Sequence, residues 1–305
     1  MQTILLTGSN GLLGQKLTAL FRNDPAWRLI ATSKGGNRYP DKTGYTYQEL
    51  DIRDEKQVRE TLAAFRPDVI IHTAAMTNVD ACEQDRAGCK ALNVDATRFL
   101  VEGAEAHGSF FIHLSTDFIF NGEDGPYREE DRPDPLSYYG HSKLESERIV
   151  RESGVGWAIL RTILVYGVVH DMSRSNIVLW AKGALEKGQP IQVVDDHFRM
   201  PTLAEDLAMA CKLAAGKRAP GVFHISGQDY MSVLETVQRI ARFFGLDEGL
   251  INPISAATLN QAAPRPPRTG FVLDKARGVL GYRPHSFEEG LEIVKKQLSS
   301  TRNNT

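Results

Sequence analysis

Tyr139 and Lys143 stand four residues apart in the segment Ser-Tyr-Tyr-Gly-His-Ser-Lys at residues 137–143. On a helix this spacing puts the phenol and the ammonium on one face, one turn apart. A neighbouring positive charge favours the phenolate, which suits the reduction of a carbonyl, because the new alkoxide must receive a proton as hydride arrives. Tyr138 is a rival, although only Tyr139 has a lysine four residues later. The same spacing is common on solvated helix faces, so the prediction depends on the elements around it.

The elements that must position this pair begin at the N-terminus. Residues 3–7 are an apolar run that predicts a buried strand, and residues 15–21 carry apolar side chains at helical spacing. Between them Gly8, Gly11 and Gly14 form the pattern G-x-x-G-x-x-G. Glycine permits a tight turn and a close approach to a pyrophosphate, which the N–H groups of the helix start would bind. In this context the pattern predicts a dinucleotide-binding loop rather than a merely flexible turn.

The composition is that of a globular chain large enough for a sizeable core. It has 305 residues, is 42% hydrophobic and carries a formal net charge of -2. Nothing in this charge favours nucleic acid, and no apolar run approaches the ~20 residues that a membrane-spanning helix needs. The first residues lack the basic and long apolar regions of a secretion signal. We therefore expect a cytoplasmic protein with no nucleic-acid partner and no membrane association.

The three cysteines, Cys82, Cys89 and Cys211, are an odd number without the spacing of a metal site. Thiols stay reduced in the cytoplasm. We expect each of them to be a small, buried, reduced residue, and we expect no metal site.

Strand-like and helix-like segments alternate along the chain, which predicts an α/β fold with a doubly wound parallel sheet covered by helices on both faces. Strands are predicted at residues 28–32, 47–50, 68–72, 110–114 and 157–160, and helices at Glu55–Phe65, with Asp54 as its cap, and at 85–107. After Tyr166 helices are predicted near 176–187, 204–215, Val233–Phe244 and 287–298, strands at Ile191–Val194 and Gly221–Ile225, and a proline-rich loop at 264–267.

Taken together, these residues resemble the extended short-chain dehydrogenase/reductase family. The matching positions are Gly8, Gly11, Gly14, Asp51-Ile52, Ala74-Ala75, Asn93, Ser115-Thr116-Asp117, Tyr139 and Lys143. Residues 67–80, 114–122, 196–207 and 265–269 are similar to the branch of dTDP-4-dehydrorhamnose reductase. The resemblance implies a Rossmann-type lobe made of residues 1–167 and 191–226. It also implies a smaller C-terminal substrate lobe made of residues 168–190 and 227–305.

The resemblance also implies roles. Thr116 would hold the substrate carbonyl, Tyr139 would donate the proton, and Lys143 would tune Tyr139 and bind the nicotinamide ribose. Asp117 and Phe118 would lie beside the substrate, a nucleotide-linked keto-sugar. Arg199 and Arg265 would grip its diphosphate, unless both pair with carboxylates between the lobes.

The cofactor prediction depends on the end of the second strand, Ala31-Thr32-Ser33-Lys34, where no carboxylate stands to bind ribose hydroxyls and favour NAD. Lys34 and Arg38 could bind the 2′-phosphate of NADP, so NADP is favoured over NAD unless these two residues are ordinary loop charges. The residues predicted to bind the cofactor are Gly8, Asn10, Gly11, Leu12, Leu13, Gly14, Ser33, Lys34, Arg38, Asp51, Ile52, Ala74, Ala75, Thr77, Asn93, Tyr139 and Lys143.

The residue at position 118 bears on other reactions of the family. Sugar-nucleotide 4,6-dehydratases carry glutamate where this chain has Phe118, which cannot abstract a proton, so dehydration is disfavoured. Epimerisation reuses the same tyrosine and lysine and stays open.

Two departures from the rhamnose reductases leave a further alternative open. Leu164 replaces their tryptophan, and Arg199 replaces a small residue. In these departures the chain resembles the regulatory subunit of methionine adenosyltransferase, so a non-catalytic NADP-binding module is an alternative. A homodimer also stays open.

Overall fold

A parallel sheet of seven strands forms the centre of the computed structural model, which describes residues 1–171, 175–259 and 261–302. The strands of the protein are β1 (Gln2–Thr7), β2 (Trp27–Ser33), β3 (Thr46–Glu49), β4 (Val69–His72), β5 (Phe110–Thr116), β6 (Trp157–Thr162), β7 (Val165–Tyr166), β8 (Ile191–Val194), β9 (Phe198–Arg199), β10 (Thr202–Leu203), β11 (Gly221–Ile225), β12 (Met231–Ser232) and β13 (Ile251–Ile254). The central sheet has the order β11-β6-β5-β4-β1-β2-β3. This order reverses beside β1, which opens a crevice beyond the carboxyl ends of the strands.

The central strands are apolar on both faces because helices cover both sides of the sheet. Ile4, Leu5 and Leu6 of β1 are fully buried, and the first three residues of β4 are buried in the same way. The predicted α/β class and doubly wound parallel sheet are therefore confirmed.

The helices are α1 (Leu12–Phe21), α2 (Glu55–Phe65), α3 (Val79–Gln84), α4 (Arg86–Lys90), α5 (Ala96–His107), α6 (Tyr138–Glu152), α7 (Ile177–Leu185), α8 (Ala204–Lys217), α9 (Val233–Phe244) and α10 (Phe287–Arg302). Asp54 caps α2 as predicted, since its side chain accepts the N–H of Gln57. Ser137 caps α6 in the same way and so begins the helix at the tyrosine pair. Among the described residues no helix is long and apolar enough to cross a membrane.

The long helix predicted at residues 85–107 is present, with a local change inside it. Asp85 caps its start, because the Asp85 side chain accepts the N–H of Gly88 and α4 begins at Arg86. A π-helical turn, Ala91–Asp95, then joins α4 to α5, which ends at His107. The non-helical backbone of Asp85 (φ -125°, ψ 72°) separates α4 from α3, and α3 was not predicted.

A second, smaller hydrophobic core lies outside the central sheet. It is built by residues of α7, α9 and α10, among them Val178, Val237 and Leu291, together with Ile191 and Val193 of β8. β8 pairs in parallel with β13 and not with the central sheet. The division into two lobes stays a proposal, and within it we move residues 191–194 from the Rossmann lobe to the smaller lobe.

Candidate active site

A cavity of about 920 Å³ opens at the carboxyl ends of the central strands. One wall comes from the ends of β1, β2, β4 and β5, and the facing wall comes from the small core through Ile177, Val194 and Val233. The predicted site residues that line it are Gly8, Asn10, Gly11, Leu12, Leu13, Gly14, Ser33, Lys34, Arg38, Asp51, Ile52, Ala74, Ala75, Thr77, Thr116, Asp117, Phe118, Tyr139, Lys143, Arg199 and Arg265.

The glycine loop closes one end of this cavity. Gly8 has a φ of +73°, and a Cβ there would lie 2.8 Å from Oγ1 of Thr73. A Cβ on Gly14 would lie 2.1 Å from the carbonyl oxygen of Gly8, so α1 can pack against the loop only if this residue is glycine. The loop therefore presents bare backbone at the start of α1, as a pyrophosphate site requires.

Asn10 fixes the loop that carries the two predicted phosphate-binding cations. Its Nδ2 donates to the carbonyl of Gly36 at 2.9 Å, and its Oδ1 accepts the N–H of Arg38 at 2.9 Å. The side chains of Lys34 and Arg38 are 69% and 54% exposed. Each forms a long ion pair, Lys34 with Asp51 at 3.3 Å and Arg38 with Asp171 at 3.8 Å.

Arg53 is a third cation at this end, and sequence reasoning missed it. Its guanidinium donates twice to the carboxylate of Asp51, at 2.9 and 2.6 Å, and Lys34 approaches the same carboxylate at 3.3 Å. This bidentate contact with Arg53 holds the pKa of Asp51 below its ordinary value. The available signal was a basic residue two positions after Asp51.

Thr116 and Tyr139 meet at the centre of the cavity. Thr116 ends β5, Tyr139 is the second residue of α6, and both side chains line the cavity. The Thr116 hydroxyl donates to Asp117 Oδ1 at 3.0 Å, and the ring of Phe118 stands edge-on to Tyr139 at 5.9 Å. The side chains predicted to surround a substrate carbonyl are therefore brought together.

The pKa of Tyr139 differs from the sequence-based expectation. Burial raises it above the ordinary value of a phenol, and the neighbouring hydroxyl of Thr116 opposes this only in part. The residue is 8% exposed, so the loss of hydration outweighs any attraction to the ammonium.

Lys143 lies deeper than Tyr139 and meets a histidine that was not predicted. Its Nζ is 3.2 Å from Nε2 of His113, a fully buried residue of β5. Burial lowers the pKa of Lys143 to about 8, against an opposing pull from Glu147. Burial, then the charge of Lys143, lowers the pKa of His113 well below its ordinary value, so the imidazole is a neutral partner. The signal was a histidine within an apolar strand.

Asn93 stands behind the cavity instead of lining it. Its Oδ1 accepts the N–H of Met76 at 2.8 Å, and its Nδ2 donates to the carbonyl of Met76 at 3.1 Å. The side chain thereby fixes the loop whose residues Ala74, Ala75 and Thr77 line the cavity. Asn93 is 1% exposed and acts through this loop.

Arg199 lines the cavity, but its guanidinium hydrogen bonds go to backbone carbonyls of the protein itself. Its two Nη groups donate to the backbone carbonyls of Phe198, Pro266 and Pro267 at 2.7–3.0 Å. Its Nε lies 3.9 Å from Oδ2 of Asp117. With a side chain only 6% exposed, Arg199 holds the proline-rich segment to β9. The expectation of a free guanidinium fork at this position is wrong.

Arg265 joins the proline-rich segment to α3. Its guanidinium donates to both carboxylate oxygens of Asp80 on α3, at 3.2 and 2.6 Å, and to the carbonyl of Ala263. The side chain is 20% exposed and lines the cavity. The carboxylate pairing given as the alternative for Arg265 is therefore present, and its contact with a diphosphate stays a prediction.

Comparison with known proteins agrees with this geometry. The family model described as RmlD substrate binding domain matches residues 1–300. This chain belongs to that family. Methionine adenosyltransferase 2 subunit beta of Bos taurus is 34% identical over 83% of this chain and 75% of its own length.

Solved structures of similar proteins support the same assignment to the RmlD family. The chain resembles dTDP-4-dehydrorhamnose reductase of Clostridium acetobutylicum at 25% identity, with a TM-score of 0.85 over 97% of this chain and 99% of that one. It also resembles the Bacillus anthracis enzyme solved in complex with NADP, at 26% identity and a TM-score of 0.83 over the same shares. Within the described residues of this RmlD-family chain, no group of three or more His, Cys, Asp or Glu side chains could hold a metal ion.

Proposed function

We propose that this RmlD-family protein is an NADP-dependent reductase of a nucleotide-linked keto-sugar. The observation that carries the proposal is the convergence of Thr116, Tyr139 and Lys143 in one cavity that also contains the glycine loop. Three separate segments, β1, β5 and α6, supply these residues, so their meeting does not follow from any one local pattern.

The residues of the chain have distinct tasks in this reaction. NADPH, when bound, supplies the hydride. Thr116 and Tyr139 position the carbonyl oxygen, and the Tyr139 hydroxyl gives its proton to the oxygen as negative charge develops there. A raised pKa keeps Tyr139 protonated until that moment. The Lys143 ammonium stabilises the phenolate that remains.

The preference for NADP is supported by charge at the far end of the cavity. Ser33 ends β2 without a carboxylate, Lys34 and Arg53 contact Asp51, and Arg38 lines the same cavity and pairs with Asp171. A 2′-phosphate at this end would have three cations within the cavity lining. Among these, Arg53 offers a guanidinium already held by Asp51.

The assignment of the substrate is supported by Arg265 and Phe118. Arg265 is more exposed than Arg199, 20% against 6%, so we propose it as the diphosphate ligand, since a guanidinium fork matches phosphate oxygens. Phe118 has no group that could abstract a proton, which disfavours dehydration.

Because the three cysteines are free thiols, we place the activity in a reducing compartment such as the cytoplasm.

A second function has specific support in the 34% identity with the beta subunit of bovine methionine adenosyltransferase 2. On that reading the chain binds NADP and regulates a partner enzyme without turnover. A stoichiometric partner in a pull-down, together with no reductase activity, would favour it.

The test is a panel of nucleotide-linked 4-keto-sugars mixed with NADPH or NADH, with nucleotide oxidation followed by absorbance. We expect turnover with at least one substrate and a preference for NADPH. Tight NADPH binding with no oxidation across the panel would overturn the proposal.

A further inference from the structure

Two cysteines lie together directly behind Tyr139. Cys82 of α3 and Cys89 of α4 are both fully buried, and they share one small cluster with the tyrosine ring. Met76, on the loop under the cavity, contacts Cys82 and accepts a hydrogen bond from Asn93, which in turn donates to Cys89, so both thiols lie against the same two residues. The break at Asp85 allows this arrangement, because seven residues of straight helix would hold the two side chains about 10 Å apart along its axis.

Both thiols contact groups that shape the active site. Nδ2 of Asn93 lies 3.3 Å from Sγ of Cys89, and Sγ of Cys82 lies 3.5 Å from the carbonyl oxygen of Met76. Asn93 and Met76 fix the loop under the cavity. Cys89 also donates to Oγ of Ser142, on α6 between the catalytic tyrosine and lysine. The pair therefore sits between the cofactor loop and the catalytic helix.

We propose that Cys82 and Cys89 are a redox-active dithiol whose conversion to an intramolecular disulfide lowers the activity of the adjacent site. The effect on turnover depends on the reductase function proposed above, whereas the disulfide itself does not. The third cysteine, Cys211, is buried on α8 and serves as the matched control.

The electrostatics suit thiol oxidation. The neighbouring thiol of Cys82 lowers the pKa of Cys89, with further help from Ser142 and the charge of Lys143, and the proximity of Cys89 raises the pKa of Cys82. One thiol is thus the readier thiolate and the other stays protonated, a division that thiol oxidation uses. Burial raises the pKa of Cys211, so this thiol is inert by comparison.

The oxidant is a small peroxide, and the step balances. The Cys89 thiolate attacks one peroxide oxygen, which gives a sulfenic acid and releases water once a proton is taken up. The sulfur of Cys82 then attacks the sulfenic sulfur, its proton leaves with the hydroxide, and a second water forms with the S–S bond. Two electrons pass from the thiols to the peroxide.

Access to the pair requires local opening, which short helices permit. α3 has six residues and α4 has five, and helices of this length have little stability of their own. A covalent bond then holds the sulfur atoms closer than any non-bonded contact does. This draws α3 and α4 together, removes the thiol contact of Asn93 and shifts the wall behind Tyr139.

The experiment treats the full chain with hydrogen peroxide and maps disulfides by mass spectrometry of non-reduced peptides. We expect a Cys82–Cys89 link in the wild type and in Cys211→Ala, and none in Cys82→Ala or Cys89→Ala. Turnover of the linked protein should fall about 10²-fold, since a displacement of ~1 Å at an active site can cost that much. Dithiothreitol should restore it.

NADPH affinity is measured in parallel, so that the inference can be judged without a known substrate. A link that weakens NADPH binding reversibly, in a protein that reduces no sugar nucleotide, supports the dithiol and contradicts only the proposed reductase function. Absence of the link, or a link that changes neither NADPH affinity nor turnover, would overturn the inference.

Discussion

Lys143 and Glu147 lie one turn apart on α6, and both are buried, yet they meet opposite kinds of partner. Glu147 accepts two hydrogen bonds from Arg161, at 2.9 and 2.8 Å, and a third from Arg151 at 3.2 Å. Lys143 meets the neutral imidazole of His113 at 3.2 Å, and within the described part of the chain it forms no ion pair. The same helix thus carries a compensated charge and an uncompensated one.

The pKa values of the two groups record this difference. Burial tends to raise the pKa of Glu147, but the paired arginine outweighs it and leaves the value below the ordinary one. Burial lowers the pKa of Lys143 to about 8 because no carboxylate touches it. A charge held without a partner lowers stability and is typical of a functional site. We interpret Glu147 as structural and Lys143 as reserved for ligand.

The largest effect is expected for Tyr139→Phe, which removes the proton donor above Lys143 and keeps the ring. Turnover should fall by about 10²–10⁴-fold, the usual contribution of a positioned acid. NADPH affinity and the melting temperature should change little. Tyr138→Phe is the matched control on the same helix and should keep near-normal turnover. Loss of activity in both variants, or in neither, would remove Tyr139 from its role.

The interpretation of Glu147 as a structural residue is tested by Glu147→Gln. This change leaves the buried Arg161 without its anion and should cost about 3–5 kcal/mol of unfolding free energy. Glu145→Gln, which breaks an exposed pair with Arg148, should cost less than about 1 kcal/mol. Urea denaturation measures both, and equal losses would show that the buried pair is no more important than the exposed one.

For Lys143→Met we expect the opposite effect on the free energy of unfolding, a gain in stability. Removing an uncompensated buried charge should stabilise the protein at neutral pH by up to about 3 kcal/mol, at 1.4 kcal/mol for each unit of pKa. The same change should abolish turnover, because the phenolate loses its ammonium. A variant less stable than the wild type would mean that Lys143 is compensated after all.

The pH dependence of unfolding gives a further test of the stabilisation expected for Lys143→Met. Lys143 has a pKa of about 8 when folded and an ordinary value of 10.5. Below pH 8 its penalty on stability is fully present; between these values the unfolded chain binds more protons, so the penalty fades as pH rises. The stability advantage of Lys143→Met should therefore shrink between about pH 8 and pH 10. A constant advantage across this range would contradict the lowered pKa.

The smallest effects concern exposed charges at the rim of the cavity. Lys34→Ala, Arg38→Ala and Arg53→Ala should each weaken NADP binding by about 1 kcal/mol, as exposed ion contacts do, and should leave NAD binding nearly unchanged. Dissociation constants at low and moderate salt measure this. A wild-type preference for NAD would overturn the proposed cofactor.

Sequence reasoning found what depends on neighbours along the chain. The strand β1, the tight turn at Gly8 and the cap at Asp54 are local patterns, and they were predicted correctly. That the glycine loop binds a dinucleotide stays a prediction. The contact between Lys143 and His113 joins residues that are 30 positions apart in the sequence, and the contact between Arg265 and Asp80 joins residues that are 185 positions apart. Such partners are decided by the packing of helices on the sheet, so their residue types alone could not reveal them. Arg199 shows the same limit, since its carbonyl partners come from a loop that only the fold brings near.

The central claim is that the uncompensated Lys143 and its tyrosine serve chemistry and not cofactor binding alone. The most direct test uses NADPH with deuterium at the transferred position and the panel of nucleotide-linked 4-keto-sugars, followed by mass spectrometry of the sugars. The wild type should place one deuterium on at least one sugar, and Tyr139→Phe should reduce that rate at least about 10²-fold. Firm binding of NADPH with no deuterium in any sugar would contradict the account and favour a regulatory module.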